Sequence, residues 1–171
     1  MDEAVGGFEY TSDSGYRVRW NDSESGTIFT MEPMIFQRPF EKQERPDDRE
    51  IVWYDDITHQ HCSFAALEGD DPVAVIIAER QTWNNTLYIR SIQVNRHVRR
   101  LGIGTALIEA VSELGLQGGF RALVVETQST NGSAIDFYRK LGFRLVGVNT
   151  QYFSNDDLQK GEVALFMHKR L

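Results

Sequence analysis

A single cysteine in 171 residues excludes an internal disulfide framework, and Cys62 in that setting reads as a thiol of a reducing compartment. No apolar run approaches the roughly 20 residues that a bilayer-crossing helix needs. The opening residues, Met1-Asp-Glu-Ala-Val-Gly-Gly, are acidic and hold no hydrophobic segment, which argues against a secretory signal and for a cytoplasmic protein with no membrane partner. Basic residues are in deficit: 18 Lys and Arg stand against 25 Asp and Glu, for a net charge of −7. A general nucleic-acid binder carries the opposite field, so nucleic acid is set aside and a cationic partner is favoured. Metal ligands are scarce as well. His59-Gln-His61-Cys62 has the look of a cluster, but no second ligand pair stands at a suitable spacing, and no metal is expected.

The remaining composition, 41% apolar and 25% charged, is that of an ordinary globular chain, and the length fits a single domain over residues 1–171. Residues 8–20 read as a β-hairpin about a Ser12-Asp-Ser-Gly15 turn, with Asn21 to Gly26 as a loop. Met31 to Asp56, interrupted by Pro33, Pro39 and Pro46, has no clean period and admits short helices. Trp53 and Tyr54 read as core anchors ahead of binding-site aromatics. Ser63 to Leu67 and Val73 to Glu79 read as two strands around a Glu68–Pro72 turn, with Trp83-Asn-Asn85 turning the chain again.

The stretch from Thr86 to Leu116 organises the chain. Leu87 and Ile89 share one parity and Ile92 and Val94 the other, so the apolar face of this strand changes sides. One extra residue near Arg90–Ser91, a β-bulge, restores the register; burial on both faces is the competing account. After the strand come Arg96, His97, Arg99 and Arg100, then Leu101-Gly102-Ile-Gly104, then a helix whose stripe is Ile103, Ala106, Leu107, Ala110, Val111 and Leu114. Gly115, Gly118 and Gly119 supply stop signals. A glycine-lined helix N-terminus beside arginines is an anion site, usually for phosphate. The dinucleotide fingerprint fails because Leu107 stands at the third glycine position, and the Walker loop fails for want of a lysine before Thr105.

Arg99-Arg-Leu-Gly102-Ile-Gly104, directly after a strand, resembles the acetyl-CoA pyrophosphate loop of the GNAT N-acetyltransferase superfamily, Arg/Gln-x-x-Gly-x-Gly/Ala. A second segment supports it. Ala122 to Gln128 reads as a buried parallel strand, and Asn131 caps a helix with Ala134, Phe137, Tyr138 and Leu141 on one face, ended by Gly142. Asn131-Gly-Ser-Ala134-Ile-Asp-Phe137-Tyr138-Arg-Lys-Leu-Gly142-Phe143 is similar to that superfamily's C-terminal motif, Asn-x-x-Ala-x-x-Phe/Tyr-Tyr-x-x-x-Gly-Phe. The resemblance covers roughly Ser63 to Leu171.

The resemblance implies an α/β (α+β) acyltransferase fold, a mixed central sheet that splays between the 86–94 strand and Val124–Gln128 as a cofactor slot. The cofactor-binding core spans about 86–143, and an acceptor-shaping part about 1–62. It implies acetyl-CoA as donor, with backbone N–H groups of Ile92, Gln93 and Val94 at the acetyl carbonyl. Arg99, Arg100, Leu101, Gly102, Ile103, Gly104 and Thr105 fall at the pyrophosphate, and Asn131, Ala134 and Tyr138 along the pantetheine arm. Acyl transfer to an amine needs amine deprotonation, an oxyanion donor and a proton for the departing thiolate. By the resemblance Tyr138 is the general acid. Glu126, costly if buried unpaired, is the first candidate base or amine-binding carboxylate, and Glu79 the second. Arg90 and Ser91 stand where many relatives carry an acidic residue.

Glu126-Thr-Gln128, with Trp83-Asn upstream, looks most like the streptothricin acetyltransferase branch. That implies a small cationic amine as acceptor, with Glu126, Trp83 and Tyr152 as substrate residues and Asp156, Asp157 and Glu162 on an acidic rim. A protein N-terminal or lysine acetyltransferase is the alternative within the family, and a non-catalytic acetyl-CoA-binding module the alternative outside it. Dimers are common in the family, and a homodimer is the assembly it allows.

Overall fold

Alternating apolar residues and short polar turns build most of the secondary structure, and helices enter only where the apolar period lengthens. The computed structural model describes residues 8–44 and 48–171. In chain order the elements are β1 (Phe8–Ser23), β2 (Gly26–Glu44), α1 (Asp48–Thr58), β3 (Phe64–Glu68), β4 (Asp71–Gln81) and β5 (Thr86–Val94). A short 3-10 turn (Arg96–Val98) leads into α2 (Ile103–Gln117), followed by β6 (Ala122–Gln128), α3 (Gly132–Lys140), β7 (Arg144–Asn149), α4 (Asp157–Lys160) and β8 (Ala164–Arg170). β1 and β2 form a two-stranded sheet; the other strands form a mixed sheet in the order β3-β4-β5-β6-β8-β7. By backbone contacts the chain falls into two units, one holding Glu44–Val125 and His168–Leu171, the other Glu9–Gln43 and Glu126–Met167.

In the first unit β3, β4 and β5 run antiparallel through tight turns. The expected bulge is present: Ile77 pairs with Ser91 and Ala78 with Ile89, so Arg90 is the extra residue. This is how the apolar parity changes sides between Ile89 and Ile92 while the ladder to β4 resumes. The parallel ladder from β5 to β6 runs from Thr86↔Ala122 to Ile89↔Val125, and β5 continues to Val94.

Helix α2 packs against β3, β4 and β5, but its buried face is rotated from the stripe read in the sequence. Leu107, Ile108, Val111, Ser112 and Gly115 are buried, while Ala106 is exposed. Ser112 tolerates this by donating to the Ile108 carbonyl at 2.7 Å. Gly115 is no stop signal either. A Cβ there would stand 3.2 Å from Leu87 Cδ1, so the missing side chain lets the helix approach the sheet. Gly118 and Gly119 end the helix, Gly119 at φ 69°.

The second unit corrects the N-terminal reading. Residues 12–15 do not turn; β1 runs through them and the hairpin turns at Glu24-Ser25, so most of the stretch read as aperiodic is strand β2, with α1 after it. Gly15 marks a close approach instead. A Cβ there would meet Phe36 Cζ and the Ser129 carbonyl oxygen, each at 2.8 Å, and Tyr16 N–H donates to that carbonyl at 2.7 Å. Val18, Ile135, Val163 and Leu165 form the core, joined by Tyr16, Met31, Val148 and Leu158. Each such buried aliphatic contributes about 1.5–3 kcal/mol relative to exposure.

Candidate active site

The N-terminus of α2 has the features an anion site needs. Gly102 is its N-cap at φ 86°, a left-handed conformation glycine adopts without penalty, and no side chain caps the helix. The first intrahelical bond is Ala106 N–H to the Gly102 carbonyl at 3.0 Å. The amides before it belong to the group that a helix cannot satisfy internally. No acidic residue stands in the first turn to compete for them. Arg100, also left-handed at φ 64°, and Leu101 are exposed. Arg99 Nε donates to the Val94 carbonyl at 2.9 Å, fastening this turn to the end of β5. The uncapped, glycine-lined turn fits a pyrophosphate, with Arg99 to Thr105 as the residues that would hold it. Gly104→Val is expected to weaken acetyl-CoA binding by about tenfold or more, near 1.4 kcal/mol, by closing that approach. Gly102→Val adds strain of about 1–3 kcal/mol from its positive φ. Calorimetric titration with acetyl-CoA checks both; wild-type affinity in a folded Gly104→Val protein counts against this loop as the pyrophosphate site.

On β5, Ile92, Gln93 and Val94 follow the bulge and pair with Ile76, Val75 and Ala74 of β4. Arg90 is engaged by Glu79, whose Oε2 accepts its Nε at 2.7 Å and its Nη2 as well. The second base candidate is thus held in an ion pair by the residue that stands where an acidic one was looked for. Sequence reading missed this pair, although the short turn at 82–85 fixes a register from Gln81↔Thr86 that carries Glu79 opposite Tyr88, beside the bulge. Trp53, read as a core anchor, is 37% exposed, and its ring lies 4.8 Å from the Arg90 guanidinium.

In the second unit, Asn131 caps α3 by accepting from Ala134 N–H at 3.1 Å, and the same oxygen accepts from Ser133 Oγ at 3.1 Å. Ser129 and Thr130, missed in the sequence, set where α3 begins. Ser129 N–H donates to the Val163 carbonyl at 2.8 Å, its Oγ accepts from Val163 N–H at 3.0 Å, and Thr130 Oγ1 lies 2.7 Å from Tyr10 Oη. Tyr138, one α-helical face along, is 5% exposed, with its ring against Phe137 at 5.3 Å and Phe143 at 5.4 Å. Burial, and then the negative charge of Glu126, push its hydroxyl far above the usual tyrosine range. Glu126 is half-buried on β6. Tyr138 and Glu126, singled out separately in the sequence, are therefore electrostatic neighbours.

The proposed substrate aromatics are both open. Trp83 is 83% exposed at the β4–β5 turn, and Tyr152 is 46% exposed, packed edge-on to Phe153 and Phe166. Of the three carboxylates read as an acidic rim, Asp156 is exposed, while Asp157 and Glu162 are engaged within the fold. Asp157 is 2% exposed and folds its own loop, accepting from Phe153 N–H at 2.8 Å and Ser154 Oγ at 2.7 Å. Burial alone would raise its pKa; these hydrogen bonds overcome burial and hold the carboxyl below its ordinary range. Glu162 is paired with Lys42, whose ammonium also lies 4.9 Å from the Phe153 ring centre. Among the described residues no group of three or more His, Cys, Asp or Glu is placed to hold a metal. Cys62 is buried and donates to the Ala78 carbonyl at 2.7 Å.

Residues 28–143 match the model of the Acetyltransferase (GNAT) family. The chain belongs to this family. A relative, streptothricin acetyltransferase A of Bacillus subtilis (strain 168), is 29% identical over 141 residues, covering 82% of this chain and 79% of that protein. The crystal structure of nourseothricin acetyltransferase superposes with a TM-score of 0.73 at 24% identity, covering 98% of this chain and 91% of its own. A putative streptothricin acetyltransferase from Bacillus anthracis str. Ames, in complex with acetyl coenzyme A, gives a TM-score of 0.70 at 25% identity, covering 96% and 92%. The fold is thus the GNAT acyltransferase fold, and the chain is an acetyl-CoA-dependent N-acetyltransferase. No helix among the described residues is long and apolar enough to cross a membrane.

Proposed function

We propose that this GNAT enzyme acetylates a primary amine of a small cationic acceptor of the streptothricin type. The carrying observation is the likeness to streptothricin acetyltransferase A, which extends over 82% of this chain and so includes much more than the cofactor loop. The net charge of −7 supports a cationic acceptor. Acetyl-CoA supplies the acetyl group as a thioester, with a thiolate as the leaving group. The chain's own residues divide the remaining work. The α2 turn from Arg99 to Thr105 binds the pyrophosphate, and the backbone N–H groups of Ile92 to Val94 receive the acetyl carbonyl. Tyr138 keeps its proton and offers it at the sulfur. Glu126 attracts the acceptor ammonium and takes its proton, directly or through water; Glu79, held by Arg90, is the weaker candidate for that role.

Free-thiol release from acetyl-CoA against streptothricin, spermidine, lysine and short peptides tests the acceptor. Turnover with streptothricin alone is the expected result. Turnover with peptides instead moves the reading to a protein acetyltransferase, and acetyl-CoA binding without transfer to any acceptor moves it to a binding module. Glu126→Gln is expected to raise the acceptor KM or lower kcat by about tenfold or more, with acetyl-CoA affinity unchanged, because it removes one carboxylate charge and one proton acceptor. A weakened acetyl-CoA affinity points to a structural role for Glu126.

A further inference from the structure

We infer that Arg90 is the positioning residue that sets the β5 bulge and, through it, the backbone N–H groups that receive the acetyl carbonyl. The inference rests on the reading that Ile92 to Val94 hold that carbonyl. Arg90 is the one residue of β5 with no counterpart on β4, between Ile89 opposite Ala78 and Ser91 opposite Ile77. A bulge leaves its extra residue out of the ladder, so ladder bonds alone do not fix which residue is extra. Moving the bulge by one position would reverse the face of the residues between the two positions.

The side chain of Arg90 removes that freedom by gripping three elements. Its Nε donates to Glu79 Oε2 on β4 at 2.7 Å, with Nη2 donating to the same oxygen. Its guanidinium lies 4.0 Å from the Tyr88 ring centre on its own strand and 4.8 Å from that of Trp53 on α1. Both partners of the ion pair have side chains only 21% exposed, so solvent screens the pair little. A planar guanidinium serves stacking and donation together; a lysine ammonium keeps the charge and loses the fork. The same contact gives Glu79 a part in holding the strand, beside its weaker candidacy as the base.

The test is isotope-edited infrared spectroscopy of acetyl-CoA carrying a labelled carbonyl, bound to wild type, Arg90→Met and Arg90→Lys, beside kcat and CoA affinity. A hydrogen-bonded carbonyl absorbs at lower frequency than a free one. Wild type is expected to show the lowered band. Arg90→Met is expected to lose it, with kcat down about tenfold or more and CoA affinity within about twofold of wild type. Arg90→Lys is expected to recover part of both. A lowered band and wild-type kcat retained in folded Arg90→Met overturn the positioning role and leave the carbonyl reading intact. No lowered band in wild type removes the carbonyl reading and the proposal with it. Should Arg90→Met fail to fold, Arg90→Gln, which removes the charge and the fork, carries the test. An undisturbed band and a wild-type kcat there overturn the positioning role.

Discussion

Tyr138→Phe is expected to lower kcat by roughly 10²-fold, the lower end of what a positioned proton donor contributes. The lower end is chosen for a physical reason. Burial and the Glu126 charge hold the hydroxyl proton far more firmly than in free tyrosine. A donor is most effective when its pKa lies near the operating pH. A firmly held proton still stabilises a thiolate by hydrogen bonding, but it transfers less readily. The substitution removes one oxygen from a side chain set between Phe137 and Phe143, so packing is kept and acetyl-CoA affinity should change little. The pH profile follows from the sign of the shift. A pKa raised above 10 leaves the hydroxyl protonated from neutrality to beyond pH 10, so any alkaline limb of kcat below that has another origin and persists in Tyr138→Phe. Steady-state kinetics across pH 6–10 check both points. A wild-type kcat in the variant removes Tyr138 from the chemistry.

Gly132→Ala is expected to destabilise the protein by about 2 kcal/mol or more, lowering the melting temperature by roughly 4–8 °C. Alanine is the better helix former by about 1 kcal/mol in a helix interior, which alone predicts a gain. Here the local preference loses. A Cβ at Gly132 would stand 2.5 Å from the Ser14 carbonyl oxygen and 2.7 Å from its Oγ. One obstacle is backbone, and it is held: the Ser14 carbonyl accepts from Ser12 Oγ at 2.7 Å, and Tyr16 N–H is bonded to Ser129. β1 must therefore move as a strand rather than a side chain rotate. Calorimetry measures the shift. An unchanged or raised melting temperature would mean that β1 yields cheaply at this point.

The geometry behind the proposed cofactor turn was legible because it is local. A glycine-lined helix start needs glycines at fixed offsets, and Gly102 and Gly104 announce it in sequence. The bulge was legible for the same kind of reason: a change of parity within nine residues is a one-strand property. Asn131 as N-cap and Gly142 as helix terminator, the latter at φ 88°, are likewise dictated by backbone groups within one turn.

What failed to be legible depended on partners far along the chain. Ser12 to Gly15 carry turn residues, yet they lie in a strand because Gly15 and Gly132 let β1 and the Ser129–Thr130 segment come close. The face of α2 rotated because Ser112 bonds its own helix and Gly115 opens room for the sheet. Of Asp156, Asp157 and Glu162, read as an acidic rim, Asp157 turned inward to its own loop and Glu162 to Lys42. Glu79 became a holder of Arg90 once the bulge brought that side chain across. The sequence by itself determined the glycine turn before α2, the bulge and the helix caps, since each is specified by backbone geometry over a few residues. Only the tertiary structure decided which carboxylates are already spoken for and which glycines are contacts rather than turns. A charge or a missing side chain has no fixed role until a residue many positions away is brought against it.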